Sequence, residues 1–106
     1  MAKVKVHSTI CDHVHVICAK KNGKNIDVSV DTTCENVKDI STLCVPVKEI
    51  LVYAENHVCR MASRSRCTAT CLVPTGILLA CWIEAGLLSE TLCRKSAPLQ
   101  IEFCEQ

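Results

Sequence analysis

Hydrophobic and polar residues alternate in the first two segments of the chain, which is the pattern of half-buried β-strands. The segment KVKVHS has its valines on one face and its lysines and histidine on the other. The segment HVHVICAK carries an apolar row made of Val14, Val16 and Cys18. We predict that this row faces the core, which leaves His13 and His15 on the solvent face of the same strand.

The dipeptide Asn22-Gly23 separates the second segment from a third, NIDVSVD. Both residue types accept a positive φ, so the dipeptide indicates a tight β-hairpin turn. The third segment again alternates, with its apolar residues, Ile26, Val28 and Val30, on one face. The first thirty residues therefore predict three consecutive antiparallel strands.

Helical spacing follows the third strand. The segment DTTCENVKDISTL pairs Thr32 with Glu35 in a capping-box pattern, and its apolar stripe is Val37, Ile40 and Leu43 or Cys44. A second helix is predicted after Pro46, in VKEILVYAENHVCRMA, and a third from Pro74 to a C-cap at Gly86. The alternating segment PLQIEFCE predicts a last strand. The expected fold is α+β, an antiparallel-rich four-stranded sheet with three helices on one face, in the order β-β-β-α-α-α-β.

The composition is that of one domain, residues 1–106. An apolar fraction of 49% suffices for a core, and a net charge of +1 argues against general affinity for nucleic acid or acidic membranes. The segment MAKVKVHSTI has no apolar leader, and the run Ile77–Ile83 is too short to span a bilayer. We therefore expect a cytoplasmic protein with neither nucleic acid nor membrane as a partner.

The chain contains ten cysteines, an even number that would suggest disulfides in a secreted domain. Without a leader, thiols that pack in the core or bind metal are the better interpretation. Six cysteines fall within predicted elements and are expected to act as small core residues: Cys18, Cys44, Cys59, Cys81, Cys93 and Cys104.

The other four cysteines fall in turns and at helix starts. Cys11 lies between the first two strands, Cys34 at the start of the first helix, and Cys67 and Cys71 in the loop before the third. Short antiparallel connections bring Cys11 and Cys34 to the same edge of the sheet. Helix N-termini favour thiolate at Cys34 and Cys71. Four thiolates suit a tetrahedral zinc ion or an iron–sulfur cluster, although a C-x-x-x-C spacing alone is unspecific.

Two other groups near these cysteines have more than one interpretation. His13 and His15 alternate with Cys11 and can converge on a cation, but solvated strand histidines are the favoured interpretation. Three arginines, Arg60, Arg64 and Arg66, place positive charge beside the C-x-x-x-C loop. They can bind an anion, offset thiolate charge, or simply line a solvated loop.

The segments VHSTIC, DTTCENV and CTATCLVPTGILLACWIEAGLL resemble those of an uncharacterised family of small cysteine-rich proteins, found in anaerobic bacteria and methanogenic archaea. The resemblance covers most of the chain and implies a shared site at Cys11, Cys34, Cys67 and Cys71. It implies no reaction. This chain departs by its six additional cysteines and by a Ser89-Glu90 where relatives have proline, which leaves open whether Cys59, His13 or His15 joins the site.

Three functions are consistent with these features. The first is a small non-catalytic metal-binding protein with an iron–sulfur cluster or zinc, serving in electron transfer, metal handling or as an accessory to a larger anaerobic enzyme. The second is a thiol–disulfide redox protein using Cys67 and Cys71, which predicts a low pKa at Cys71. The third is an interaction module whose cysteines are core residues. No catalytic constellation is recognisable, and the oligomeric state does not follow from the sequence.

Overall fold

The computed structural model describes residues 1–105. One antiparallel sheet, in the strand order β1-β2-β3-β4, is formed by β1 (Ala2–Ser8), β2 (His13–Asn22), β3 (Asn25–Asp31) and β4 (Thr42–Pro46). The helices are α1 (Glu35–Lys38), α2 (His57–Ser63), α3 (Val73–Glu84) and α4 (Glu90–Ser96), with a 3-10 turn at Val47–Glu49. The predicted α+β class, a four-stranded antiparallel sheet with three helices of seven or more residues, is confirmed.

The first three strands form the predicted meander. Asn22 pairs with Asn25, so the hairpin turn consists of Gly23 and Lys24. Gly23 has a φ of 64°, which glycine adopts without steric cost. The apolar residues of β3 are buried as predicted: Ile26, Val28 and Val30.

The orientation of β2 is the reverse of the prediction. Ile17 pairs with Val30 and Ala19 with Val28, so these residues share the buried face with His15. Val14, Val16 and Cys18 instead lie on the open face, where Val14 is exposed. Both rows of β2 are apolar enough to be buried, and the position of the two-residue turn decides between them, because a shift of one residue exchanges the faces.

The fourth strand comes from an unexpected segment. Helix α1 is a single turn, and Thr42–Pro46 pairs antiparallel with β3, burying Leu43 and Val45. The predicted order is thus corrected to β-β-β-α-β-α-α-α. These five residues fit a period of 2 as well as a helical period, and the exposed edge of β3 favours the strand.

Two further predictions about elements were wrong. The second helix begins only at His57, and the apolar residues before it, Leu51, Val52 and Tyr53, are exposed. Residues 97–105 form neither helix nor strand, and their alternating apolar side chains, Leu99, Ile101 and Phe103, are exposed. In this part of the chain a strand pattern is present, but the segment pairs with neither edge strand of the sheet, β1 or β4.

Helix α3 packs directly on the sheet, as predicted for the third helix. A Cβ atom on Gly76 would lie 2.5 Å from Val6 Cγ2 and 2.9 Å from Ile17 Cδ1, so only glycine permits this approach. The helix ends as predicted near Gly86, whose φ is 76°. There the Leu87 N–H donates to the Trp82 carbonyl at 2.9 Å, a Schellman closure.

The expected core role of the six other cysteines holds for only one of them. Cys81 in α3 is fully buried, and burial raises the pKa of its thiol to about 12. Cys44 and Cys104 are exposed, while Cys18, Cys59 and Cys93 are partly exposed.

Within the described residues, no helix is long and apolar enough to cross a membrane.

Candidate functional site

Three of the four singled-out cysteines lie together at one end of the sheet. Cys34, Cys67 and Cys71 are all partly buried and pack against the edge of the hydrophobic core. Burial is the main cause that raises the pKa of Cys71, and the thiols of Cys67 and Cys34 are near enough to raise it further. Thiols from two distant segments of the chain thus share one environment, which we call the thiol cluster.

Arg66 joins the two segments that carry the thiol cluster. Its Nε and Nη2 atoms donate to the two carboxylate oxygens of Asp39 at 2.9 and 2.8 Å, and its backbone N–H donates to the same carboxylate at 2.9 Å. Nη2 also donates to the Glu35 carbonyl of α1 at 2.8 Å. The side-chain and backbone hydrogen bonds that Asp39 accepts from Arg66 lower the pKa of its carboxyl group to about 2. The loop that begins at Arg66 is therefore clamped onto α1.

Within this loop the two cysteines are positioned by hydrogen bonds. The Cys67 thiol donates to the Asn36 carbonyl at 3.4 Å, and the Cys67 N–H donates to the Ser65 hydroxyl at 3.0 Å. The Cys71 N–H donates to the Thr68 carbonyl at 3.1 Å, which closes a turn between the two cysteines. This turn brings both ends of the C-x-x-x-C segment toward α1.

Cys34 is the N-cap residue of α1, and its own backbone is held by Thr32. The Cys34 N–H donates to Thr32 Oγ1 at 3.0 Å, and the same hydroxyl lies 2.8 Å from His15 Nδ1. The expected capping box of Thr32 with Glu35 does not form; the threonine side chain instead joins Cys34 to the second strand. Sequence patterns alone missed this role because Thr32 and His15 are adjacent only across the sheet.

Cys11 occupies the turn between β1 and β2, at the same end of the sheet, as predicted. It is exposed, and its N–H donates to the Ser8 carbonyl at 3.0 Å. The next residue, Asp12, has a φ of 58° and donates its N–H to Thr9 at 3.2 Å. Cys11 is not among the thiols that raise the pKa of Cys71.

The two histidines of β2 were predicted on the solvent face and lie instead on the face covered by the helices. His15 is only 2% exposed, and burial, followed by the charge of His13, lowers its pKa. His13 is partly exposed, and its Nδ1 is hydrogen-bonded to Thr33 Oγ1 at 3.1 Å. The two ring centroids are 5.9 Å apart. The histidines thus contact the two residues that immediately precede Cys34.

Cys59 belongs to a different local structure. Asn56, which is 1% exposed, caps α2 by accepting the Cys59 N–H at 2.7 Å. Its amide nitrogen donates to Val52 and Tyr53 carbonyls at 2.7 and 3.0 Å, and contacts the Cys59 sulfur at 3.2 Å. The role of Asn56 was not predicted, although an asparagine directly before a helical segment is a typical N-cap.

The three arginines separate in the structure. Arg60 pairs with Glu49 and donates to the Glu55 carbonyl at 3.0 Å, outside the thiol cluster. Arg64 is the C-cap residue of α2. Only Arg66 borders the thiol cluster, where Asp39 is the main cause that raises its pKa and Cys34 contributes. The expectation that arginine charge accompanies the cysteines therefore applies to one residue.

The thiol cluster is a group of neighbours and not a finished coordination shell. Among residues 1–105, no three His, Cys, Asp or Glu side chains already converge in an arrangement that holds a metal ion. The residue types nevertheless fit a soft cation, since thiols are the preferred ligands of zinc and of iron–sulfur clusters. The same proximity also permits a disulfide between Cys67 and Cys71.

Comparison with known proteins identifies a family and no activity. No curated protein matches the chain, and no solved structure matches it. Residues 2–96 match a family of unknown function, DUF6951, and this range includes Cys11 and the whole thiol cluster. The chain therefore belongs to family DUF6951.

Proposed function

We propose that the protein is a small cytoplasmic metal-binding protein, in which Cys34, Cys67 and Cys71 are ligands of one zinc ion or one iron–sulfur cluster, with Cys11 as the fourth ligand that the sequence predicts. The observation that supports this most is the thiol cluster, in which Cys34 meets Cys67 and Cys71 although more than thirty residues separate them in the chain. Its role is non-catalytic: electron transfer, metal handling or service to a larger enzyme of anaerobic metabolism.

The surroundings of the thiols suit metal binding. Partial burial protects the sulfurs from solvent, while the Arg66 guanidinium offsets part of the negative charge that several thiolates would bring. Metal binding requires the sulfur atoms of the thiol cluster to move closer together. Each of these cysteine side chains can reorient by rotation about its single side-chain torsion.

A test of this proposal compares the metal content of two matched triple variants purified without oxygen. In the first, Cys34, Cys67 and Cys71 are changed to serine; in the second, three cysteines outside the cluster, Cys44, Cys93 and Cys104, are changed to serine. We expect one equivalent of zinc, or iron with sulfide, in the wild type and in the second variant only. Elemental analysis and the visible absorption spectrum provide the measurement.

The redox alternative is favoured by one observation, the proximity of Cys67 to Cys71. It requires a thiol that ionises readily, whereas burial raises the pKa of Cys71. Two results together would replace the metal proposal with this alternative. The wild-type protein would be free of metal and would reversibly lose two thiols on mild oxidation, and the Cys71→Ser variant would lose none.

A further inference from the structure

We infer that His13, and not Cys11, is the fourth ligand of the metal site, so that the site has a Cys3His donor set and is built for zinc. This inference rests on the proposed function, because it assumes that Cys34, Cys67 and Cys71 bind a metal. It concerns which residue completes the site and therefore which metal is preferred. Three cysteines and one histidine are a common donor set of structural zinc sites.

Two hydrogen bonds beyond the end of the β2–β3 ladder bring His13 close to Cys34. The ladder ends at the pair of Val16 and Asp31. Past this pair, the His15 ring is hydrogen-bonded to the Thr32 hydroxyl at 2.8 Å and the His13 ring to the Thr33 hydroxyl at 3.1 Å. Thr33 is the residue bonded to Cys34, so the His13 ring contacts the immediate neighbour of a cluster thiol.

The direction of α3 brings Cys71 to the same place. Gly76 lies over Val6 and Ile17, and eight residues later Glu84 accepts the Lys21 N–H at 3.0 Å. The helix therefore runs along β2 in the direction of increasing residue number. Its N-terminal end, which Cys71 precedes, lies toward the end of β2 that carries His13.

The His13 ring already has the hydrogen bond expected of a metal ligand. Ligating histidines usually donate one ring N–H to an oxygen, which fixes the ring and leaves the other nitrogen for the metal. When Nδ1 donates to Thr33 Oγ1, at 3.1 Å, the lone pair is on Nε2. The ring is also partly exposed, so a cation can reach it without disrupting the core.

Cys11 is less well placed for the same role. It is exposed in a turn closed by two backbone hydrogen bonds, from Cys11 to Ser8 and from Asp12 to Thr9, with Asp12 in the left-handed region. The backbone hydrogen bonds of Cys11 are made within this turn, whereas the His13 ring is hydrogen-bonded to the residue next to Cys34.

The test is a titration with Zn²⁺ and with Co²⁺ as a spectroscopic probe, under reducing anaerobic conditions, on wild type and single variants. We expect Cys11→Ala to bind Zn²⁺ as the wild type does. His13→Ala should lose at least about 100-fold in affinity for Zn²⁺, because removing a ligand costs more affinity than removing a residue that hydrogen-bonds to a ligand. His13→Cys should restore binding and increase the thiolate-to-cobalt charge-transfer absorption. Thermal unfolding of each metal-free variant checks that it is folded.

The outcomes separate the two claims. If Cys11→Ala loses the metal while His13→Ala keeps it, the inference is overturned and the four-cysteine proposal stands. If His15→Ala loses the metal while His13→Ala keeps it, the inference is overturned in favour of the other histidine. A wild-type protein that binds neither Zn²⁺ nor Co²⁺ overturns the inference, and the proposed function is overturned as well if the protein purified without oxygen also contains no iron and sulfide.

Discussion

Arg66 and Asp39 form a two-pronged ion pair that ties the cysteine loop to the end of α1, with N···O distances of 2.9 and 2.8 Å between the side chains. A third hydrogen bond, from the Arg66 backbone to the same carboxylate, fixes the loop at the residue next to Cys67. Two parallel hydrogen bonds between a guanidinium and a carboxylate fix the relative orientation of the two side chains, which a single contact between flexible charged side chains does not. The thiol cluster therefore depends on a residue pair that contains no sulfur.

Removing the guanidinium should release the loop. In Arg66→Ala we expect Cys67 to react severalfold faster with a maleimide than in the wild type. Without the ion pair, the loop no longer holds the Cys67 thiol against the Asn36 carbonyl. Mass spectrometry of the peptide that contains Cys67 measures this rate. The control is Arg94→Ala, which removes the surface pair with Glu90 at 2.7 Å. Equal Cys67 rates in both variants would mean that the ion pair does not position the loop.

The same ion pair predicts a pH dependence. The carboxyl pKa of Asp39 is lowered from 3.8 to about 2 in the folded protein. A lowered acid pKa contributes stability above the unfolded value, and that contribution is lost as the pH falls from 3.8 toward about 2. The Asp39 carboxyl carbon, followed by NMR, should therefore titrate near pH 2. In Arg66→Ala its midpoint should move up toward the ordinary value, and an unchanged midpoint would contradict the assignment of the shift to Arg66.

Gly76 sets the distance between α3 and the sheet. Gly76→Ala should destabilise the fold by about 2 kcal/mol, because overpacking against Val6 and Ile17 outweighs the roughly 1 kcal/mol that alanine gains in helix propensity. Denaturant unfolding measures the change. Thr75→Ala, at an exposed position of the same helix, is the control and should have little effect.

A second substitution tests the cause. Val6→Ala removes the methyl group that lies 2.5 Å from the added Cβ, so the double variant Val6→Ala, Gly76→Ala should be less destabilised than the sum of its single changes. Strict additivity would show that helix α3 does not approach the sheet at this point.

Asn56 stabilises the otherwise irregular segment before α2. Asn56→Ala should cost about 2 kcal/mol, since it removes the N-cap and leaves the Val52 and Tyr53 carbonyls without their donor. The matched control is Ser89→Ala, an exposed cap that accepts only the Leu92 N–H at 3.2 Å, for which we expect about 0.5 kcal/mol. Equal losses in chemical denaturation would mean that burial of Asn56 adds nothing to its capping.

The sequence was sufficient to predict elements whose residues carry a local physical cause. Gly23 permits the positive φ of a tight hairpin turn, and this turn defines β2 and β3 as an antiparallel pair. Pro74 and Gly86 bound α3, because proline fits a first helical turn and glycine accepts the left-handed φ beyond the last. The shared sheet end of Cys11 and Cys34 followed from the same short connections.

Tertiary structure decided the features for which the local pattern allows two solutions. Either face of β2 is apolar enough to be buried, and pairing with β3 buries the one that carries His15. Thr42–Pro46 fits a helix or a strand, and the free edge of β3 makes it a strand. The alternating segment after Pro98 has strand character but pairs with no edge. The meeting of Cys34 with Cys67 and Cys71 depends on Arg66 and Asp39, whose contact joins residues far apart in the chain, and spacing along a sequence carries no information about such a contact.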